Sequence, residues 1–425
     1  MNCKVEKSKI SGELVCPPNK SYTHRAVFLA SLAKGESIIK NALFSDDTNA
    51  TIEACKKFGV EIKKLENELV IRNSNQIIQP STIDASNSGT TIRIASALAS
   101  LADGKTTLSG DQSLNKRPMQ PLLNALESLG AKCSSIEGHP PVTISGKIIG
   151  GKVTVPGDIS SQFISALLIV APLSQNEIVL NIEGVLVSKP YLDATIASMK
   201  KFGVHVKTDI IYKKYTIPPQ TYNATTFTIP SDYSSLALLL SACVLIGDDL
   251  KIQITTSELP QADEAFIDIL KKVGVDVSIN ENYISVKSPE KLQGGKFDLN
   301  NSPDLLPPLS ILALKTKNSI KIFNIKHARY KETDRISIIG RELQKFGIGI
   351  EEKEDGLILH PVEEPTGANL NSENDHRLFM AFCIAGMYVG NCSVSDPESV
   401  DISYPNFIEE LVSVGGKIKL SHKEL

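Results

Sequence analysis

The hexapeptide YKETDR, Tyr330 to Arg335, places Lys331, Glu332, Asp334 and Arg335 together after the alternating stretch SIKIFNI. It leads into ISIIGRELQKFG, where Ile336, Ile339, Leu343 and Phe346 recur at helical spacing. Carboxylates suit the positive end of a helix dipole, whereas Lys331 and Arg335 are disfavoured there. A solvated charge run explains such a segment by itself, but not its recurrence. PNKSYTHR carries Lys20 and Arg25, SNSGTTIR carries Gly89 and Arg93, KRPMQP carries Arg117 and NDHR carries Arg377, each at a predicted helix mouth. Unpaired backbone N–H groups beside a cation make an anion site, and a glycine lets a ligand approach the backbone closely. The chemistry implied is the holding of small multi-anionic ligands by Lys20, Arg25, Arg93, Arg117, Lys331, Arg335 and Arg377, with Glu332 exchanging a proton among them.

The elements that must position these residues repeat. KKFGVEI, ESLGAKC, KKFGVHV, KKVGVDV, QKFGIGI and VSVGGKI each end a helical pattern on a glycine and open an alternating strand. Their glycines, Gly59, Gly130, Gly203, Gly274, Gly347 and Gly415, fall about 71 residues apart. A second register of helix openings, near Lys20, Ser88, Ser161, Asp232, Asp304 and Asp375, keeps step with the first. Each unit reads strand–helix–strand–helix–strand–strand. The expected fold is α/β: two globular domains of three βαβαββ units each, with sheets packed outward around buried helices. The stretch KVEKSKISGELV reads as one N-terminal strand pairing with the C-terminal half. Domain boundaries follow: 1–17 with 230–425 as a discontinuous domain, and 18–229 as the inserted one. The crossings are expected near Pro17–Lys20 and Ile229–Asp232, where PPNKS and TIPSDY read as hinges. His205, in GVHVK, reads as a strand residue. Asp46 and Asp47 read as helix-capping carboxylates.

The bulk numbers narrow the functions further. The chain of 425 residues has 45 Lys and Arg against 48 Asp and Glu, a net charge of −3. No global basic field argues for nucleic acid or an anionic membrane. Apolar runs such as ISALLIVAPL are too short to span a bilayer. The N-terminus lacks the apolar core of a signal peptide. Seven scattered cysteines, without CxxC or metal-ligand spacing, read as reduced thiols of a cytoplasmic protein. PPNKS lacks the glycines of a P-loop, and neither HExxH nor GxSxG occurs.

PPNKSYTHR, SDDT, NSGTTIR, KRP, SSQFISALL, VSKPY, YKETDR, NDHR and DPESVDISYP stand in the order found in the EPSP synthase family of enolpyruvyl transferases. The resemblance spans Lys20 to about Pro405. It implies an inside-out α/β barrel in each of two domains joined by two hinge crossings, with the active site in the interdomain cleft. The implied reaction moves the enolpyruvyl group of phosphoenolpyruvate to the 5-hydroxyl of shikimate 3-phosphate, releasing phosphate by addition and elimination. It implies neither metal nor organic cofactor, no nucleic-acid or membrane partner, and a monomer.

Carried onto this sequence, the family pattern puts Lys20 at both substrates. Shikimate 3-phosphate falls to Ser21, Arg25, Ser160, Ser161, Gln162, Ser188 and Tyr191, with Asp304, His327 and Lys331 at its hydroxyls. Phosphoenolpyruvate falls to Gly89, Arg117, Gln162, Arg335 and Arg377. Lys20, Asp304 and Glu332 are the catalytic set, with Asp304 as base toward the 5-hydroxyl and Glu332 as proton donor to the methylene carbon. Two positions depart from the pattern. Ile402 stands where many bacterial members have lysine, and His327 where those members often have asparagine. GDQSLNKRP has no cysteine, unlike the sibling transferases acting on UDP-N-acetylglucosamine. A silent scaffold on the same fold is disfavoured by the presence of Lys20, Asp304, Glu332, Arg335 and Arg377 together.

Overall fold

The computed structural model describes residues 1–73 and 77–421. The chain divides into two compact units. One comprises Met1–Pro17, Ser231–Ser257 and the chain from Ala262 onward; the other comprises Pro18–Pro230 and Glu258–Gln261. The tetrapeptide Glu258–Gln261 joins the inserted unit because the Tyr22 hydroxyl donates to the Pro260 carbonyl at 2.7 Å and Asn19 Nδ2 to Gln261 Oε1 at 2.6 Å.

The helices of the inserted unit are α1 (Lys20–Leu32), α2 (Asp46–Lys57), α3 (Gly89–Ala99), α4 (Gln120–Ser128), α5 (Ser161–Val170) and α6 (Lys189–Lys201). Those of the discontinuous unit are α7 (Tyr233–Ile246), α8 (Ala265–Lys272), α9 (Leu306–Ile311), α10 (Arg335–Gln344), α11 (His376–Val389) and α12 (Phe407–Ser413). In each repeat the first helix is the buried one: α3, α7 and α11 bury nearly every residue. That is why these helices read as apolar all round rather than along one stripe. Each unit has its own continuous apolar core.

The described residues form six four-stranded sheets, all of one design. In the second repeat, Thr82–Asp84 pairs in parallel with Lys105–Ser109, with Ile83 opposite Leu108. Lys105–Ser109 then pairs antiparallel with His139–Ser145, which pairs with Lys132–Ile136. A parallel pair needs a crossover, and the buried helix supplies it; the antiparallel pair needs only a tight turn.

Three sheets are completed by strands distant in sequence. Thr226–Thr228 lies parallel to Gly35–Lys40 and closes the inserted unit on itself. In the discontinuous unit the N-terminal stretch is two strands, not the single one its alternation suggested. Asn2–Glu6 inserts antiparallel between Cys392–Ser395 and Lys417–Ser421, while Ile10–Val15 lies parallel to Gly247–Gln253. The six repeat glycines all have positive φ, from 83° to 115°, the left-handed turn that ends a helix at little cost in glycine. His205 lies in the loop between Gly203 and the strand Lys207–Thr208, outside any strand.

Candidate functional site

The segment YKETDR is not itself helical. Lys331 to Thr333 form bends, and α10 begins at Arg335 with Asp334 as its cap, accepting from the Ser337 N–H at 3.1 Å. Asp334 is therefore a capping residue, held also by Arg329 at 2.7 Å. Glu332 and Arg335, three residues apart, turn to the same side, and Arg335 Nη2 donates to Glu332 Oε2 at 2.7 Å.

Arg335 is 1% exposed and surrounded by carboxylates. Its Nη1 donates to Asp304 Oδ1 at 2.9 Å, its Nε to Asp375 Oδ2 at 2.7 Å and its Nη2 to Asp375 Oδ1 at 3.2 Å. Four of its five N–H donors are thus engaged by protein carboxylates, leaving one on Nη1. Burial alone would lower this guanidinium's pKa; Asp375, Glu332 and Asp304 outweigh burial and raise it. Asp304, in a short 3-10 turn ahead of α9, also meets Lys331 at 3.4 Å and, through Oδ2, Arg377 at 3.4 Å. Arg377, in the first turn of α11, keeps guanidinium donors beyond that one contact.

Glu332, Asp375 and His376 bring ligand-type atoms within 4.8 Å of one another. The Arg335 guanidinium already supplies the positive charge to both carboxylates, so the cluster is a protein-filled cation site. His376 Nδ1 meets the Ser403 hydroxyl of the SYP triplet. His327 is buried, its Nε2 lacking a hydrogen-bond partner. Burial, then Lys331, push its pKa down to about 4 against the pull of Asp304, so it stands as a neutral imidazole.

Arg25, in the inserted unit, is held differently. Arg25 is 5% exposed, and its guanidinium donates to Thr195 Oγ1 (2.9 Å), the Ser21 carbonyl (2.9 Å) and the Tyr191 carbonyl (3.0 Å). All three acceptors are neutral, and burial lowers the arginine's pKa. A buried guanidinium held only by neutral oxygens is completed by an anionic ligand. Lys20, the first residue of α1, pairs with Asp47 at 2.8 Å.

Around the α3 mouth, Arg93 Nη1 donates to Gln162 Oε1, Gln162 Nε2 to Thr90 Oγ1 at 3.3 Å, and Arg117 Nη2 to Asn87 Oδ1 at 2.8 Å. A methyl group added at Gly89 would stand 2.7 Å from Arg93 Nη1, 3.1 Å from Arg117 Nη1 and 3.4 Å from Gln162 Oε1. Gly89 is therefore a cradle between two guanidinium groups. Ser160 caps α5, on which Ser161 and Gln162 follow. Ser188 precedes α6 in the left-handed region (φ 55°) and gives no side-chain cap. Strain of this kind in a non-glycine residue is a mark of functional loops.

The structure thus gathers Asp304, Lys331, Glu332, Arg335 and Arg377 into one cluster, and Gly89, Arg93, Arg117 and Gln162 into another. Arg25, Ser21 and Tyr191 form a third. Sequence reasoning missed Asp375, Thr195 and the pairing of Asp47 with Lys20. Asp375 was visible only as a helix cap, and it still caps α11 through the Arg377 N–H at 3.0 Å. It also missed Asp263, buried at 3% exposure, bonded by the Ser234 hydroxyl and shifted to about 7 by burial and by Asp304.

Comparison with known proteins gives the family and the fold. The family model described as EPSP synthase (3-phosphoshikimate 1-carboxyvinyltransferase) matches residues 5–411. A relative from Nitrosopumilus maritimus named 3-phosphoshikimate 1-carboxyvinyltransferase is 64% identical over 421 residues, covering 99% of this chain and 100% of the relative. One of the same name from Methanosphaera stadtmanae is 40% identical over 97% of this chain and 99% of its own. Among solved structures, an EPSP synthase from Acinetobacter baumannii superposes with a TM-score of 0.83 at 24% identity, covering 99% of this chain and all of that one. The enolpyruvyl transferase NikO from Streptomyces tendae reaches 0.78 at 15% identity, over 98% of each chain. The structural likeness shows the fold alone. The sequence matches carry the assignment: this chain belongs to the EPSP synthase family.

Proposed function

We propose that this protein transfers the enolpyruvyl group of phosphoenolpyruvate to the 5-hydroxyl of shikimate 3-phosphate, giving EPSP and phosphate in aromatic amino acid biosynthesis. The observation that carries the reading is the bridge made by Arg335, which holds Asp304 on one nitrogen and Glu332 on another, at 2.9 and 2.7 Å. One guanidinium fixes two carboxylates of different surroundings, which is what opposite proton roles require.

In the addition step the 5-hydroxyl oxygen bonds to C2 of phosphoenolpyruvate and gives its proton to Asp304. Glu332 delivers a proton to C3, turning the methylene into a methyl group. In the elimination step the bond from C2 to the phosphate oxygen breaks, and a methyl proton returns to the Glu332 carboxylate as the double bond is restored. Phosphate leaves with the electron pair of the broken bond.

Each substrate carries a carboxylate and a phosphate, so cations and helix ends must hold both in attack geometry. Arg25, Ser21, Ser160, Ser161, Gln162, Ser188 and Tyr191 take shikimate 3-phosphate, with His327 and Lys331 at its hydroxyls. Gly89, Arg117, Gln162, Arg335 and Arg377 take phosphoenolpyruvate, and Lys20 serves both. No helix of the described residues is long and apolar enough to cross a membrane. Six of the seven free cysteines are buried, which supports a reducing, cytoplasmic setting; the monomeric state follows the family resemblance.

The test is phosphate release from the purified protein. Release that needs both substrates, and that collapses in Glu332→Gln, supports the reading. A folded wild type that binds shikimate 3-phosphate but releases no phosphate overturns it.

A further inference from the structure

A buried polar chain crosses the three helices α1, α2 and α3. His24 Nδ1 lies 2.7 Å from Thr51 Oγ1, Thr51 Oγ1 lies 2.6 Å from Thr91 Oγ1, and Thr91 Oγ1 donates to Ser88 Oγ at 2.7 Å. All four residues are at most 1% exposed. Ser88 caps α3, accepting also from the Thr91 N–H at 3.2 Å, and the next residue is Gly89. His24 stands one helical turn after Lys20 on α1, and Thr51 one turn after Asp47 on α2. The chain therefore runs beneath the mouths that carry Lys20, Asp47 and Gly89.

Donor bookkeeping fixes its direction. A threonine hydroxyl has one proton to give. Thr91 gives its proton to Ser88, so Thr51 must give its own to Thr91, and Thr51 must accept from a protonated Nδ1 of His24. His24 Nε2 is buried without a hydrogen-bond partner, as fits a neutral ring carrying its one proton on Nδ1. Burial, with Lys20 and Arg25 nearby, likewise disfavours a charged imidazole.

We infer that His24, Thr51 and Thr91 are positioning residues that hold the α3 mouth, with Gly89, in register with Lys20 for phosphoenolpyruvate. They touch no substrate; they act through Ser88 and Gly89. A one-way chain of short bonds between three helices resists relative sliding, because shifting any helix leaves a buried donor or acceptor unpaired. The inference rests on reading the α3 mouth as the phosphoenolpyruvate subsite, which wild-type turnover with both substrates tests separately.

The experiment compares Thr51→Val with Thr106→Val, measuring Tm, kcat and KM for each substrate. Thr106 is an equally buried threonine of the same unit, bonded at 2.6 Å to Gln79 and to the Pro80 carbonyl, away from the chain. Losing one buried hydroxyl pairing in the chain is expected to raise KM for phosphoenolpyruvate about tenfold while kcat changes less than about threefold. Thr51→Ser restores the hydroxyl and should restore KM. Thr106→Val should lower Tm comparably and leave KM alone. If both valine variants lower Tm and neither moves KM for phosphoenolpyruvate, the chain is merely structural and the inference fails. Should Thr51→Val not fold, His24→Leu removes the first donor and carries the same readout, with unchanged KM again overturning the inference.

Discussion

Arg25 of the inserted unit and Arg335 of the discontinuous unit are held in opposite ways. Arg25 rests on a hydroxyl and two carbonyls. In the discontinuous unit, Arg335 is held by Glu332, Asp304 and Asp375, while Asp304 also collects Lys331 and Arg377. A guanidinium on neutral oxygens keeps its charge for a ligand. One ringed by carboxylates is partly neutralised and fixes those carboxylates, while the N–H left on Arg335 Nη1 remains for a ligand. Under the proposed function the contrast divides the labour: Arg25 supplies positive potential for shikimate 3-phosphate, while Arg335 both preorganises Asp304 and Glu332 for proton transfer and, with Arg377, faces phosphoenolpyruvate.

Substitutions that attack each side of the contrast separate them. The largest effect is expected from Glu332→Gln, which keeps a hydrogen-bonding group beside Arg335 and removes the exchangeable proton. Turnover should fall about 10³-fold, within the range for loss of general acid catalysis, with shikimate 3-phosphate affinity nearly unchanged by calorimetry. Arg25→Gln should do the reverse. Affinity for shikimate 3-phosphate drops about a hundredfold, as for a lost charge-assisted contact in a buried site. Gly89→Ala comes next. Its methyl group would crowd the tips of Arg93 and Arg117, flexible ends that move without unfolding the protein. KM for phosphoenolpyruvate should rise about tenfold with little change in Tm, because 1.4 kcal/mol of lost contact suffices.

The smallest effects are on stability against pH, and they carry opposite signs. Asp263 is shifted upward from 3.8 to about 7, so the folded state binds more protons than the unfolded between those values. Its contribution is complete below the unfolded pKa and is lost as pH rises toward 7. Asp263→Asn should gain on wild type across that window, by about 1.4 kcal/mol per pH unit at most. His327 is shifted downward from 6.5 to about 4. Its contribution is present above 6.5 and is lost as pH falls toward 4, so His327→Asn should gain on wild type in acid. Urea unfolding at a series of pH values checks both.

What the sequence made legible is what depends on neighbours along the chain. The six glycines that end helices, the caps at Asn19, Ser88, Ser160, Asp232 and Asp375, and the βαβαββ order are all local features, and the structure has them. The two-strand N-terminus was hidden because Lys7 to Lys9 carries neither glycine nor proline to mark the break between Asn2–Glu6 and Ile10–Val15. The motifs named the cations but not their partners. Asp375 lies 40 residues from Arg335, Asp47 27 from Lys20, and Thr195 170 from Arg25; nothing periodic joins such pairs. Asp263, in the helix opening LPQAD, carried no signal beyond that of a carboxylate at a helix mouth.

The central proposal is that Arg25 holds shikimate 3-phosphate while Glu332 moves the proton. Its most direct test is shikimate 3-phosphate titrated into Glu332→Gln and into Arg25→Gln, beside phosphate release from each. The account predicts that Glu332→Gln binds like wild type and turns over negligibly, whereas Arg25→Gln binds weakly and recovers much of its turnover at high substrate. Loss of binding in Glu332→Gln, with turnover intact at saturation, would contradict it.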